Sequence, residues 1–147
     1  MILGTIDLPA RLSCLCRYRP IIYTTERHPE YASILEPVWE SAKLRQIDIV
    51  TSELTLLEVL VLPIRRNDEE LIDTYDDIFT DSVIDLHPIS RLVLREAARL
   101  RATQNFKTPD AIHAATASLS NCDHLVSNDN DFRRLTTIDV TILSDLI

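Results

Sequence analysis

Four carboxylates stand where acids are out of place, and together they could hold a divalent cation. Asp110 leads KTPDAIHAATA, Lys107 to Ala117, a run of small residues that otherwise reads as interior. Taken alone it is a helix-start acid favoured by the macrodipole. Glu58 lies in LTLLEVLVL, where Leu54, Leu57, Val61 and Leu62 make the helix apolar almost all round. A carboxylate there must reach solvent at a rim, pair with a cation or bind a metal, because an isolated buried charge is prohibitively costly. Arg65 and Arg66 lie about two turns further along the helix. Asp129 and Asp131 fall in SNDNDF, Ser127 to Phe132, directly after a strand pattern. Ordinary turn chemistry would account for each of them singly. Two carboxylates about 4 Å apart repel by roughly 4 kcal/mol at an effective dielectric of 20, so a shared pocket must take up protons or hold a cation. Hard oxygen ligands favour Mg²⁺ or Mn²⁺. A cation held by acids with open positions suits phosphodiester hydrolysis: it activates water, neutralises the phosphate and stabilises the leaving oxygen.

For that chemistry the acids must meet, and the elements between them supply a way. Ile21-Ile22-Tyr23 reads as a strand, and His28 to Arg45 as a helix interrupted at Pro37. Ile47 to Thr51 reads as a strand, with Ser52 as N-cap of a helix from Glu53 to Leu62 that Pro63 stops. Asp68 to Phe79 is an acidic amphipathic helix, Val83 to Leu86 a strand, and Ser90 caps a helix running to about Ala102. Thr108 can cap the next helix, with Pro109 at its first position and Asn121 as a left-handed stop. His124 to Ser127 is a strand, Asp131 to Leu135 a helical turn and Val140 to Leu143 a final strand. Alternation of this kind implies a three-layer α/β/α domain around a central parallel sheet. Such sheets collect sites beyond the carboxyl ends of their strands, where Glu58, Asp110 and Asp129 would each emerge.

Composition excludes much. Gly4 is the only glycine, so no Walker A loop, dinucleotide fingerprint or G-x-S-x-G elbow exists. The net charge of −8 argues against broad electrostatic capture of nucleic acid, though not against a small cation site. Only Lys43 and Lys107 are lysine; the other basic residues are arginine, suited to discrete phosphate contacts. Cys14, Cys16 and Cys122 lack metal-site spacing and fit a reducing cytoplasm. No apolar stretch approaches the roughly 20 residues that cross a bilayer, and the first residues make no convincing signal peptide.

Four pieces in order, ERHPEY (Glu26 to Tyr31), TSELTLLEVL (Thr51 to Leu60), TPDAIHAATA (Thr108 to Ala117) and LVSNDNDF (Leu125 to Phe132), give residues 21–147 a specific resemblance. They resemble PIN-domain proteins, especially the small VapC toxins of bacterial toxin–antitoxin pairs. The resemblance implies a PIN fold and a Mg²⁺- or Mn²⁺-dependent ribonuclease that acts on RNA, forms a homodimer and is neutralised by a cognate antitoxin. It makes Glu58 the helix glutamate, Asp110 the third acid, and Asp129 or Asp131 the fourth, with Asp129 preferred. His113 also matches and reads as a packing or hydrogen-bonding residue rather than a ligand. Arg65, Arg66 and Lys107 are candidate phosphate contacts whose simpler reading is solvated surface charge.

Residues 1–20 depart from the pattern. The family's first strand ends in Asp-Thr or Asp-Ser near position 17, where this chain has Arg17-Tyr18-Arg19; Asp7 is too far upstream to substitute. One codon choice for Cys14 to Pro20, read one base later, spells Val-Tyr-Val-Asp-Thr-Val-Pro. A frameshift or misassigned start would therefore explain the atypical segment, and the coding DNA decides it. If the segment is genuine, the alternative to a nuclease is a catalytically impaired PIN-fold interaction module. A receiver-type phosphoacceptor would need adjacent acids after its first strand and a lysine near its last, and has neither.

Overall fold

The computed structural model describes residues 13–16 and 18–147, with side chains from Tyr18 onward. Five strands, β1 (Ser13–Cys16), β2 (Asp48–Ser52), β3 (Ile84–His87), β4 (His124–Ser127) and β5 (Asp139–Ile142), make one sheet in the order β3-β2-β1-β4-β5. Every neighbouring pair is parallel, and Cys14 stands opposite both Ile49 and His124. Parallel pairing forces crossovers. Helices α1 (Tyr18–Thr25) and α2 (Ala32–Lys43) lead from β1 to β2; α3 (Leu54–Arg65) and α4 (Glu69–Thr80) lead from β2 to β3. Then α5 (Arg91–Gln104) and α6 (Thr108–Leu119) carry the chain back across the sheet to β4. The strand order thus reverses between β1 and β4, the place where parallel sheets open a crevice.

Alternation along the strands feeds two cores. Val50 and Leu125 join the core under α5 and α6, while Ile49 and Val126 join the core under α1 to α4. The fold is therefore the expected α/β/α sandwich. Helix α6 is the most deeply set element: every residue from Asp110 to Ala117 is buried. Its alanines allow close approach to β2 on one side and α5 on the other, which larger side chains would prevent.

Several boundaries differ from the sequence reading. Ile21-Ile22-Tyr23 is part of α1, not a strand; a three-residue apolar run does not distinguish the two, and Ile21 is buried beneath the sheet's helical layer. The helix expected from His28 starts at Ala32, and Pro37 lies inside it without ending it. Pro63 does not stop α3 either: it is buried in the last turn, and the helix reaches Arg65. Ser52 ends β2 rather than capping α3 directly, although its Oγ accepts a hydrogen bond from Leu54 N at 3.2 Å. Thr108 is the first residue of α6 instead of its cap, and its Oγ1 accepts from Arg101 at 2.6 Å. Ser90 does cap α5, accepting from Val93 N, and Asn121 does take the left-handed conformation at φ 55°.

Candidate metal centre

Asp110, Asp129 and Asp131 converge. Each offers an oxygen, and these oxygens all lie within 4.8 Å of one another. Asp110 comes from the first turn of α6 and is 3% exposed; Asp129 and Asp131 are half-buried in the loop after β4. The spot is the carboxyl edge of the sheet beside the β1–β4 reversal.

The loop that carries two of the acids is fixed by its own polar side chains. Ser127, fully buried, accepts from Asp129 N through Oγ at 3.1 Å. Asp129 Oδ1 accepts from Asp131 N at 2.9 Å and so caps a 3-10 turn over Asn130–Arg134. Asn128 faces the other way: its amide donates to Tyr23 Oη at 3.1 Å, and its Oδ1 accepts from Ser144 N at 3.0 Å. The loop is thereby tied to α1 and to the chain's last 3-10 turn. Arg134 lies beside the acids, 3.4 Å from Asp131 Oδ1, with its other nitrogen donating to Asn105 O at 3.1 Å.

Glu58 stands outside the group of three. Its Oε2 is 2.9 Å from Nε2 of His113, which is fully buried three residues along α6 from Asp110. On its outer side Glu58 lines a cleft of about 210 Å³ shared with Glu26, Val59, Leu62 and Arg66. Arg66 thus shares a cleft with Glu58, but the side chain that Glu58 bonds is His113. Arg65 and Lys107 are exposed, Lys107 just ahead of α6. Position 17, where the resemblance places the first acid, and Asp7 lie outside the described residues, as does most of the atypical segment.

Two contributors were not singled out from the sequence. Arg134 follows Asp131 by three residues, a spacing that does bring opposite charges together on a helical turn. Asn128 gave no such signal, since its partners are 105 and 16 residues away.

Three carboxylates this close repel one another unless something positive joins them. The donor set is oxygen only, without His or Cys, which fits Mg²⁺ or Mn²⁺ and does not fit a structural zinc. Arg134 offsets part of the charge on Asp131 from the solvent side.

The PIN domain family model matches residues 20–137. No curated protein matches the chain significantly. Among solved structures, the chain is similar to VapBC2 from Rickettsia felis bound to a DNA fragment from its promoter, with 20% identity and a TM-score of 0.69 over 88% of this chain and 98% of that one. A toxin–antitoxin complex from Klebsiella pneumoniae gives 22% identity and a TM-score of 0.68, covering 88% and 97%. VapC20 of Mycobacterium tuberculosis, a Sarcin–Ricin loop cleaving toxin, gives 15% identity and a TM-score of 0.68, covering 82% and 92%. At these identities the likeness is one of fold.

Proposed function

The chain belongs to the PIN-domain family, and from that premise we propose that it is a Mg²⁺- or Mn²⁺-dependent endoribonuclease, the toxin half of a toxin–antitoxin pair. The observation that carries this reading is the convergence of Asp110, Asp129 and Asp131 at the sheet's carboxyl edge. These three would hold the cation, with Glu58 alongside. Once bound, a divalent cation activates water, neutralises the scissile phosphate and stabilises the leaving oxygen.

The remaining work falls to the chain itself. Asp110 is held by a helix whose buried face leaves it little freedom. Asp129 is held through its amide by Ser127, and Asp131 through its amide by Asp129, in a loop that Asn128 ties to α1. Arg134 borders the acids and Lys107 precedes Asp110 by three residues, so both are discrete cations for flanking RNA phosphates; Arg66 shares the cleft on the outer side of Glu58. A few local contacts rather than a basic surface suit a chain of net charge −8. The antitoxin reading is supported by similar folds among toxin–antitoxin complexes, and by the exposed apolar residues Leu92 and Leu94 on α5.

Arg17 favours a second reading, a PIN-fold interaction module with impaired catalysis, because a cation replaces the family's first acid. One experiment separates them. Cleavage of a structured RNA is followed with Mn²⁺ for the chain as written, for Arg17→Asp/Tyr18→Thr, and for each with Asp110→Asn. The nuclease reading expects activity in at least the restored chain, falling by about a hundredfold or more with Asp110→Asn. Activity only after restoration identifies the written chain as disabled. Cleavage by neither, with Mn²⁺ bound, leaves the interaction module.

A further inference from the structure

We propose that His113 is a positioning residue that fixes the Glu58 carboxylate beside the acidic site, an inference that rests on the metal-site reading above. His113 and Asp110 are three residues apart on α6, so both project from one helix face, about 4.5 Å apart along the axis at 1.5 Å per residue. Glu58 meets that face from α3, and its partner there is the imidazole, at 2.9 Å. The ring has no freedom to choose another. His113 is fully buried, and its neighbours Ile112, Ala114 and Ala115 are buried with it.

The hydrogen count fixes the direction of the bond. Among the described residues, His113 Nδ1 has no hydrogen-bond partner. A hydrogen on Nδ1 would be a buried donor without an acceptor, whereas a bare nitrogen lone pair there leaves no N–H unmet. The hydrogen therefore sits on Nε2 and is donated to Glu58 Oε2. That bond occupies one carboxylate oxygen and fixes the rotation of the group, so Oε1 is the atom Glu58 has left to present. Histidine ring hydrogens bonded to acids commonly serve this orienting role around metal sites, with the histidine as ligand. Here the order is inverted: the acid would face the cation, and the histidine stands behind it.

Two measurements on the full chain test this. Nitrogen-15 NMR of the imidazoles should find His113 as the Nε2–H tautomer; an Nδ1–H tautomer would overturn the proposal outright. Calorimetric titration with Mn²⁺ is then made on the Arg17→Asp background with His113, His113→Gln and His113→Leu. A glutamine amide reaches far enough to replace the Nε2 donor, and leucine fills similar space without one. His113→Leu should weaken Mn²⁺ binding about 10- to 100-fold, while His113→Gln should stay within roughly threefold of the parent. Equal binding by the parent and the leucine variant, with thermal melts showing both folded, overturns the positioning role and leaves the metal site standing. Loss in both variants shows a packing role only and overturns it as well. No Mn²⁺ binding by the Arg17→Asp parent overturns the metal reading itself, and this proposal falls with it. Should His113→Leu fail to fold, the tautomer and the glutamine variant still decide.

Discussion

Asn128 precedes Asp129 and makes the bonds that hold the acidic loop in place, one to α1 through Tyr23 and one to the chain end through Ser144. Removing both takes away the loop's side-chain ties to α1 and to the last 3-10 turn. Asn128→Ala should therefore cost about 2 kcal/mol, since each hydrogen bond lost contributes roughly 1 kcal/mol. For a chain of this size that lowers the melting temperature by about 4–8 °C, measured by calorimetry. A shift below about 1 °C would mean the loop is held by other contacts. The same scale shows how far single residues could be read from the sequence. Asp110 was legible because an acid leading a run of alanines conflicts with its surroundings, and Glu58 for the same reason in a run of leucines. The bond between Glu58 and His113 was not, because it spans 55 positions and depends on how α3 meets α6.

Elements were legible where their ends carry side-chain chemistry. Ser90 caps the helix expected of it, accepting from Val93 N, and Asp68, expected inside its helix, caps α4 by accepting from Leu71 N. Ser90→Ala should destabilise the fold by about 1 kcal/mol, a loss that urea unfolding would register as a lower midpoint at unchanged slope. Elements were misread where tertiary packing overrides a local rule. Pro37 and Pro63 break the backbone ladder within α2 and α3, yet Leu35, Val38 and Val59 bury the faces around them and keep both helices intact. Ile21-Ile22-Tyr23 looks like a strand because its length suits one, and only the placement of α1 over the sheet decides otherwise. Strand pairing adds a pH dependence that no pattern could reveal. His124 of β4 is bonded to Thr141 of β5 at 2.6 Å, and burial pushes its imidazole below the ordinary 6.5, with the Asp139 carboxylate opposing. The folded state thus disfavours the charged ring, while the unfolded chain protonates near 6.5. The stability this contributes is complete above pH 6.5 and is lost as pH falls through that value toward the depressed one. Melting temperatures between pH 8 and pH 5 should fall more steeply for the wild type than for His124→Gln; parallel curves would remove His124 from the account.

At the scale of the molecule, charge and apolar surface point in different directions. A net charge of −8 leaves the domain little long-range pull on nucleic acid, so RNA recognition under the proposed function would have to come from short contacts around the three aspartates. Protein partners meet a different surface. Leu57, Val61 and Ile64 recur at helical spacing along α3, each more than 40% exposed, and no other described element covers them. A helix that is apolar on its buried and its outward faces has a second surface to satisfy, and exposed apolar patches of this kind mark association sites. The homodimer implied by the resemblance would use this face. Sedimentation of the full chain should then give twice the monomer mass, and Leu57→Asp/Ile64→Asp should return it to the monomer while leaving the thermal melt of the isolated domain nearly unchanged, because both side chains are already in water in the single chain. Each desolvated aspartate at a dimer interface would cost several kcal/mol, enough to weaken association by more than a hundredfold. A wild-type chain that sediments as a monomer, or a double variant that still dimerises, would move the interface away from α3.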